Sequence, residues 1–267
     1  MKKEERKQLW TYIAASYGLF WGILIIAFTM VQVGIIEVDL DGDSIFITFI
    51  KILISWTPTM AVYFFRKRLF PGKSIKNIFS GMFSEKLNVK LFLAVIILEV
   101  LTYLIASIVV SVYDNVPLIS QWTFSKELFI SSFFICLFTG ATGEESGWRG
   151  FLFPHLFEHY GCIKSGLIVG IIWGLWHFPL WLLSGYTGVG FLLYVTEFLI
   201  CTIAWSVVMG VLYTWNHNLI IFVAYHFLVN FLLCFFCGND LIFQITIALL
   251  AVLTAIGFAI AYLRHKN

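Results

Sequence analysis

The chain has 267 residues, of which 60% are hydrophobic, 18% are aromatic and only 12% are charged. Soluble domains carry about 25% charged and about 45–50% apolar residues, so this chain has too few charges to cover a surface that faces water. The composition therefore excludes a soluble enzyme and a disordered chain. A formal net charge of +2 is too small to indicate a nucleic-acid partner.

Eight stretches of the chain are apolar enough to cross a bilayer, which takes roughly 20 mostly apolar residues. In chain order they cover residues 10–36, 45–65, 91–113, 127–146, 162–183, 190–214, 219–236 and 241–263. The fourth stretch is the least regular, because it runs into charged residues at its end. We therefore predict one all-α transmembrane domain over residues 1–267, a polytopic bundle of about eight transmembrane helices in contact with membrane lipid.

The basic residues predict the orientation of these spans, because short cytoplasmic loops retain Lys and Arg. Of the 17 Lys and Arg residues, 15 lie before the first span, in the second connection, beside the end of the fourth span or after the last span. These positions share one side of an eight-span bundle. The first loop of the other side, Val38–Asp43, is acidic. We predict a multi-pass protein of the cell membrane with both termini in the cytoplasm.

Three of the predicted spans carry polar side chains that lipid does not tolerate. Ionisable groups at membrane depth cost at least about 2.5–3.5 kcal/mol each, which makes them functional candidates. The groups are Glu144, Glu145 and Arg149 in the first cluster, His177 in the second, and His226 with Asn230 in the third. One such group often only bridges helices, but six on three helices predict a shared, water-accessible cavity.

The two glutamates of the first cluster are not equivalent on a regular helix. Glu145 and Arg149 are four residues apart and can pair, which would hold Glu145 ionised. Glu144 has no such cation nearby and is the candidate general base. It borders a face that we predict to pack closely against a neighbouring helix, because four glycines share it: Gly140, Gly143, Gly147 and Gly150.

The spacing of the other two clusters predicts side chains that face neighbouring helices. Gly166, Gly170 and Gly174 are spaced by four, and His177 falls on their side of the helix. His226 and Asn230 are also four residues apart and share a face.

The sequence assigns no catalytic role to the charged residues and cysteines outside these clusters. We interpret Glu99, Glu197 and Lys51 as local pairs or interface-seeking groups. Cys234 and Cys237 have redox-motif spacing, but they lie in an apolar helix, so we interpret them as buried small hydrophobes.

The three clusters resemble the motifs of the CAAX protease and bacteriocin-processing family, also called the Abi family, which includes the type II CAAX prenyl endopeptidases. The matching residues are Glu144, Glu145 and Arg149 for EExxxR, His177 for the His of FxxxH, and His226 and Asn230 for HxxxN. The resemblance spans about residues 140–235, which we take as the catalytic core. Trp173 stands where the second motif has Phe, so the shape of the cavity beside His177 is expected to differ.

The resemblance implies a glutamate-dependent intramembrane endopeptidase whose substrate is a membrane-associated or prenylated peptide or protein. By this resemblance, Glu144 and His177 activate a water that attacks a peptide carbonyl. His226 and Asn230 then stabilise the tetrahedral oxyanion, and the ion pair of the first cluster holds the geometry. For a sequence without a prenylated partner, the family resemblance implies a role in peptide-signal processing, bacteriocin processing or bacteriocin self-immunity.

The sequence leaves two chemical routes open, with a metal and without one. Glu144, His177 and His226 supply two imidazoles and one carboxylate with an open position for water, a set that suits a divalent ion such as zinc. The metal-free route needs the same residues around one water. The sequence contains no HExxH, no rhomboid-type GxSxG serine site and no intramembrane Asp pair, so only the Glu/His type of intramembrane protease fits.

Two other functions are compatible with the same side chains. A non-catalytic membrane immunity or scaffold protein would use them only to hold its helices together. A proton-coupled transporter would use Glu and His as a proton relay. Against the transporter, the sequence has no inverted repeat and its polar groups are confined to one half of the chain.

Overall fold

The computed structural model describes residues 1–37 and 45–266, so the acidic segment Val38–Asp43 lies outside the described residues. The helices are, in chain order, α1 (Lys3–Gln32), α2 (Ile45–Ser55), α3 (Thr57–Phe64), α4 (Arg66–Leu69), α5 (Ile75–Gly81), α6 (Val89–Asp114), α7 (Lys126–Cys136), α8 (Thr142–Gly147), α9 (Phe153–Trp176), α10 (Phe178–Leu182), α11 (Gly188–Trp215), α12 (Leu219–Leu233) and α13 (Asp240–Lys266). Leu118–Gln121 forms a short 3₁₀ turn, and the wider turns of a π-helix flank α8 at Leu137–Ala141 and Trp148–Leu152. No strand occurs in these ranges, and the all-α class is confirmed.

Several of these helices can cross a membrane. Within the described residues, α1, α6, α11 and α13 are each long and apolar enough to do so. The consecutive helices α2 and α3 pass the same test as a pair bent by 51°. The bend coincides with Pro58 in the first turn of α3, because proline removes a backbone donor and ends the preceding helix. The chain is a polytopic membrane protein, whereas the number of eight spans and the cytoplasmic side of the termini stay predictions.

The fourth predicted span consists of short helices instead of one continuous helix. After α7, the backbone leaves helical dihedral angles at Thr139 and Gly140, and α8 then continues to Gly147. A second break lies inside α9 at Gly161, whose φ of +72° is in the left-handed region that favours glycine. These breaks rotate the segments that follow them, so the direction of a side chain here does not follow from regular helical spacing.

The helices α9 and α11 lie in backbone contact along the glycine stripe of α9. A Cβ at Gly170 would lie only 2.5 Å from the Cα of Ile203, and a Cβ at Gly166 would lie 2.9 Å from the Cα of Val207. Any larger side chain at these two positions would push the helices apart. The predicted close approach at this stripe is confirmed, and it brings the end of α9, with His177, against α11.

Contacts between connections identify two ends of the bundle. At one end, Asn216 Nδ2 and the backbone N–H of His217 donate to the Glu85 carboxylate, and these donors lower the pKa of that exposed group. At the other end, the backbone N–H of Thr123 donates to the carbonyl oxygen of Phe235 at 2.9 Å. Each contact joins two segments of the chain that an eight-span arrangement places on the same side.

The cysteine with redox-motif spacing is paired with a different partner. Cys234 Sγ lies 3.6 Å from the Sγ of Cys136 on α7, whereas Cys237 Sγ lies 3.8 Å from the carbonyl oxygen of Ser120. Cys234 and Cys237 are also exposed, so their interpretation as buried residues is wrong. They follow the last turns of α12, where the chain leaves the bundle.

Candidate active site

Side chains from the three polar clusters line one cavity of about 400 Å³. Four of the six predicted site residues are in its wall: Glu144, His177, His226 and Asn230. The other two, Glu145 and Arg149, lie behind this wall with 0% and 1% of their surface exposed. The arrangement therefore divides the predicted set into groups that can reach a substrate and groups that can only act through them.

Glu145 connects the first polar cluster with the third. Its Oε1 accepts a hydrogen bond from Arg149 Nη1 at 3.0 Å and lies 2.8 Å from Nδ1 of His226 on α12. The ion pair predicted from the spacing of four is present. Because both partners of this carboxylate are buried, loss of either one would leave a charge uncompensated, which costs about 3–5 kcal/mol in such pairs. This carboxylate is thus occupied with holding the His226 ring.

Glu144 immediately precedes Glu145 in the chain but has a different environment. Its Oε2 accepts a hydrogen bond from the indole Nε1–H of Trp173 at 2.6 Å. Its carboxylate faces the cavity, where the neighbouring glutamate does not reach. Of the two adjacent glutamates, only Glu144 is therefore in a position to act on a bound substrate.

His177 is held at the end of α9 with one ring nitrogen committed. Its Nδ1 lies 2.9 Å from the carbonyl oxygen of Trp173, which can only accept, so Nδ1 carries the proton of the neutral ring. The Nε2 of that tautomer is then an acceptor. The ring also packs against Phe198 of α11, with 4.9 Å between ring centroids. This agrees with the predicted orientation of His177 toward the neighbouring helix.

Gly140 lies beside the third cluster and not on the predicted glycine face. A Cβ at Gly143 would meet the bend between α2 and α3, and one at Gly147 would meet α1 and α3. A Cβ at Gly140 would instead lie 2.9 Å from Asn230 Nδ2 and 3.4 Å from His226 Nε2. The prediction that all these glycines share one face is wrong, because the backbone leaves the helix just before Gly140. Asn230 Nδ2 and His226 Nε2 therefore lie close to the same point, the position that a Cβ at Gly140 would occupy.

Gly140→Ala is expected to lower kcat for peptide cleavage by about 10-fold to 100-fold, since small displacements of catalytic groups have effects of this size. The added methyl group would displace the Asn230 amide and crowd the His226 ring. Steady-state kinetics in detergent measures the effect. Gly257→Ala on α13 is the matched control, because a Cβ there meets nothing within 4 Å. Equal rates for the two variants would contradict the assigned position of Gly140.

Among the residues of the cavity wall to which the sequence analysis assigned no catalytic role are Trp173, Glu197 and Lys51. Trp173 lies one helical turn before His177, and this spacing of four was the available signal. Glu197 does form the predicted local contact, accepting from Cys201 Sγ at 3.0 Å, but it also lines the cavity. Glu197 and Lys51 are ionisable residues within predicted spans, and this was the sequence signal that could have assigned both to the cavity wall.

The candidate metal ligands do not form a cluster. In the part of the chain that the structure describes, no group of three or more His, Cys, Asp or Glu side chains is arranged to hold a metal ion. Glu144, His177 and His226 therefore do not fit a three-ligand metal site as arranged.

Comparison with known proteins relates this arrangement to a protease family. Residues 126–232 match the family described as type II CAAX prenyl endopeptidase Rce1-like. The CAAX prenyl protease 2 of Methanococcus maripaludis is 29% identical to this chain over 197 residues, which cover 65% of this chain and 69% of the relative. The matched segment runs from the start of α7 into α12 and contains all the predicted site residues. The resemblance indicated by the three motifs is confirmed, and it supports a membrane endopeptidase.

Proposed function

Proceeding from this similarity to type II CAAX prenyl endopeptidases, we propose that the protein is a glutamate-dependent intramembrane endopeptidase. The observation that carries the proposal is the composition of one cavity wall. A carboxylate, two imidazoles and a carboxamide from three separate helices face a common space inside an otherwise apolar protein. Polar groups at this depth are costly, and a hydrolytic site uses each of them.

Glu144 is the general base of the proposed reaction. Its carboxylate removes a proton from the water whose oxygen forms a bond with the peptide carbonyl carbon, and His177 Nε2 accepts a hydrogen bond from that water. The carbonyl π electrons move to the carbonyl oxygen. When the tetrahedral intermediate collapses, the C–N bond breaks and the proton held by Glu144 passes to the leaving amine nitrogen. The only co-reactant is water.

His226 and Asn230 are the proposed donors to the oxyanion. Their nitrogens lie near one point beside Gly140, which suits two hydrogen bonds to a single oxygen. The Glu145 carboxylate at His226 Nδ1 compensates the charge of an imidazolium ring, whose Nε2–H then donates. Asn230 donates without an additional buried charge. Arg149 donates to the same oxygen of Glu145 and keeps this carboxylate in place.

The proposed substrate is a membrane-associated or lipidated peptide. Apolar and aromatic side chains form most of the cavity wall, and a peptide must approach this wall from within or beside the bilayer. The name of the similar protein, CAAX prenyl protease 2, supports a prenylated peptide as the first substrate to test. The proposed biological role is the processing of a peptide signal or a bacteriocin, or bacteriocin self-immunity. We also propose that the protein lies in the cell membrane with both termini in the cytoplasm.

The test is cleavage of a defined set of peptides by the purified protein in detergent. The set contains a farnesylated peptide, its unmodified counterpart and an apolar signal-like peptide, each assayed in H₂¹⁸O with and without a chelator. We expect cleavage that places one ¹⁸O in the new carboxylate and that persists with the chelator. Failure to cleave any of the peptides would count against the protease, and loss of activity that zinc restores would count against the metal-free route.

A further inference from the structure

We propose that Trp173 is a positioning residue of this site, whose indole N–H orients the Glu144 carboxylate toward its water. The inference rests on the proposed function and adds a group that the family's FxxxH motif does not supply. Phe at this position has a ring but no N–H. The chain therefore carries a hydrogen bond at its general base that a sequence with Phe lacks.

The hydrogen bond to Glu144 is short and buried. The Trp173 Nε1 to Glu144 Oε2 distance is 2.6 Å, at the short end of N–H···O hydrogen bonds, as expected when the acceptor is charged. Only 3% of the surface of Trp173 is exposed, so the bond forms in a low-dielectric environment where it is stronger than in water. Because the indole holds one carboxylate oxygen, the rotation of the carboxylate is restricted.

Trp173 also contacts the other clusters directly. Its backbone carbonyl oxygen accepts from His177 Nδ1 at 2.9 Å. The guanidinium carbon of Arg149 lies 4.6 Å from the centroid of its ring, and the His226 ring centroid lies 5.1 Å away at a steep angle. One side chain thus touches groups on α8, α12 and the π-helical turn between α8 and α9. Contacts with Glu144, Arg149 and His226 therefore limit the rotation of this ring.

Phe is the substitution that separates the N–H from the remaining contacts. Trp173→Phe keeps an aromatic ring against Arg149 and His226, and it leaves the backbone carbonyl on His177 unchanged. What it removes is the donor to Glu144. The isosteric residue β-(3-benzothienyl)alanine makes the same change without the loss of ring volume, because sulfur replaces the N–H. Trp181→Phe is the matched control, since Trp181 is equally buried at 3% exposed and lies outside the cavity wall.

A positioning role and a merely structural one predict different kinetics. If the indole only satisfies a buried carboxylate, removal of the N–H lowers the unfolding temperature but leaves kcat of the folded protein unchanged. If it orients the base, both Trp173 variants lower kcat by about 10-fold to 100-fold, the effect of one hydrogen bond to a charged group, while KM stays within about twofold. In a Glu144→Gln background the second substitution then has no further effect.

The experiment measures kcat, KM and the infrared carboxyl band of Glu144 for wild type, both Trp173 variants and Trp181→Phe. The band is assigned as the difference between wild type and Glu144→Gln, so it does not depend on activity. We expect both Trp173 variants to move the band and lower kcat, and Trp181→Phe to do neither. An unmoved band or a wild-type kcat in either Trp173 variant would overturn the proposal. A band that moves in both Trp173 variants, while the wild-type protein cleaves none of the peptides, would instead overturn the proposed function.

Discussion

Glu144→Gln is expected to reduce kcat for peptide cleavage by about 10²–10⁴-fold, the usual contribution of a positioned general base. Glutamine has the same size and can still accept from the indole of Trp173, so the cavity keeps its shape. It cannot take a proton from water. KM is expected to change little, because the substitution removes an interaction that develops only in the transition state.

Glu99→Gln is the matched control for this loss. Glu99 is also a buried glutamate inside an apolar helix, but it lies on α6, contacts Tyr225 and is absent from the cavity wall. Its conversion to glutamine is expected to leave kcat within about twofold of wild type, since changes away from reacting groups rarely alter transition-state binding. A Glu144→Gln protein that retains wild-type activity would remove the glutamate from the mechanism. Equal losses in both variants would point to a general effect of charge removal in the bundle.

Asn230→Leu is expected to reduce kcat by about 10²–10³-fold, which is the effect of removing one oxyanion donor in other hydrolytic enzymes. Leucine is close to asparagine in size, so the contact with Gly140 is retained while the Nδ2 donor is lost. Asn230→Asp is expected to be at least as inactive, because a carboxylate neither donates nor tolerates a nearby oxyanion. Single-turnover cleavage separates this chemical step from binding and product release.

The relative activities of Asn230→Leu and Asn230→Asp distinguish oxyanion stabilisation from simple packing. If Asn230 only fills space, Asp is the milder substitution, because it preserves the shape of the side chain better than Leu does. Asn77→Leu on the exposed surface of α5 is the control for adding an apolar residue. An active Asn230→Asp protein would contradict the donor role of Asn230.

The sequence was sufficient to predict the class of protein and the identity of the polar groups. Composition alone excludes a soluble chain, and each of the long helices α1, α6, α11 and α13 overlaps a span predicted from hydropathy. Spacing of four along a helix predicted the Glu145–Arg149 pair correctly. These results depend on the regular geometry of a helix, in which neighbours within about four residues are determined by the chain itself.

Hydropathy and helical spacing could not predict the contacts between helices. The 2.8 Å contact of His226 with Glu145 joins residues 81 apart, and the bond from Trp173 to Glu144 joins residues 29 apart. Both depend on how each helix is rotated and how deeply it sits, which no local spacing specifies. The broken backbone before Gly140 changed that rotation within a single predicted span. Tertiary packing, acting through close helix approach at glycines and breaks in helical geometry, therefore decided which glutamate faces the cavity and what holds it there.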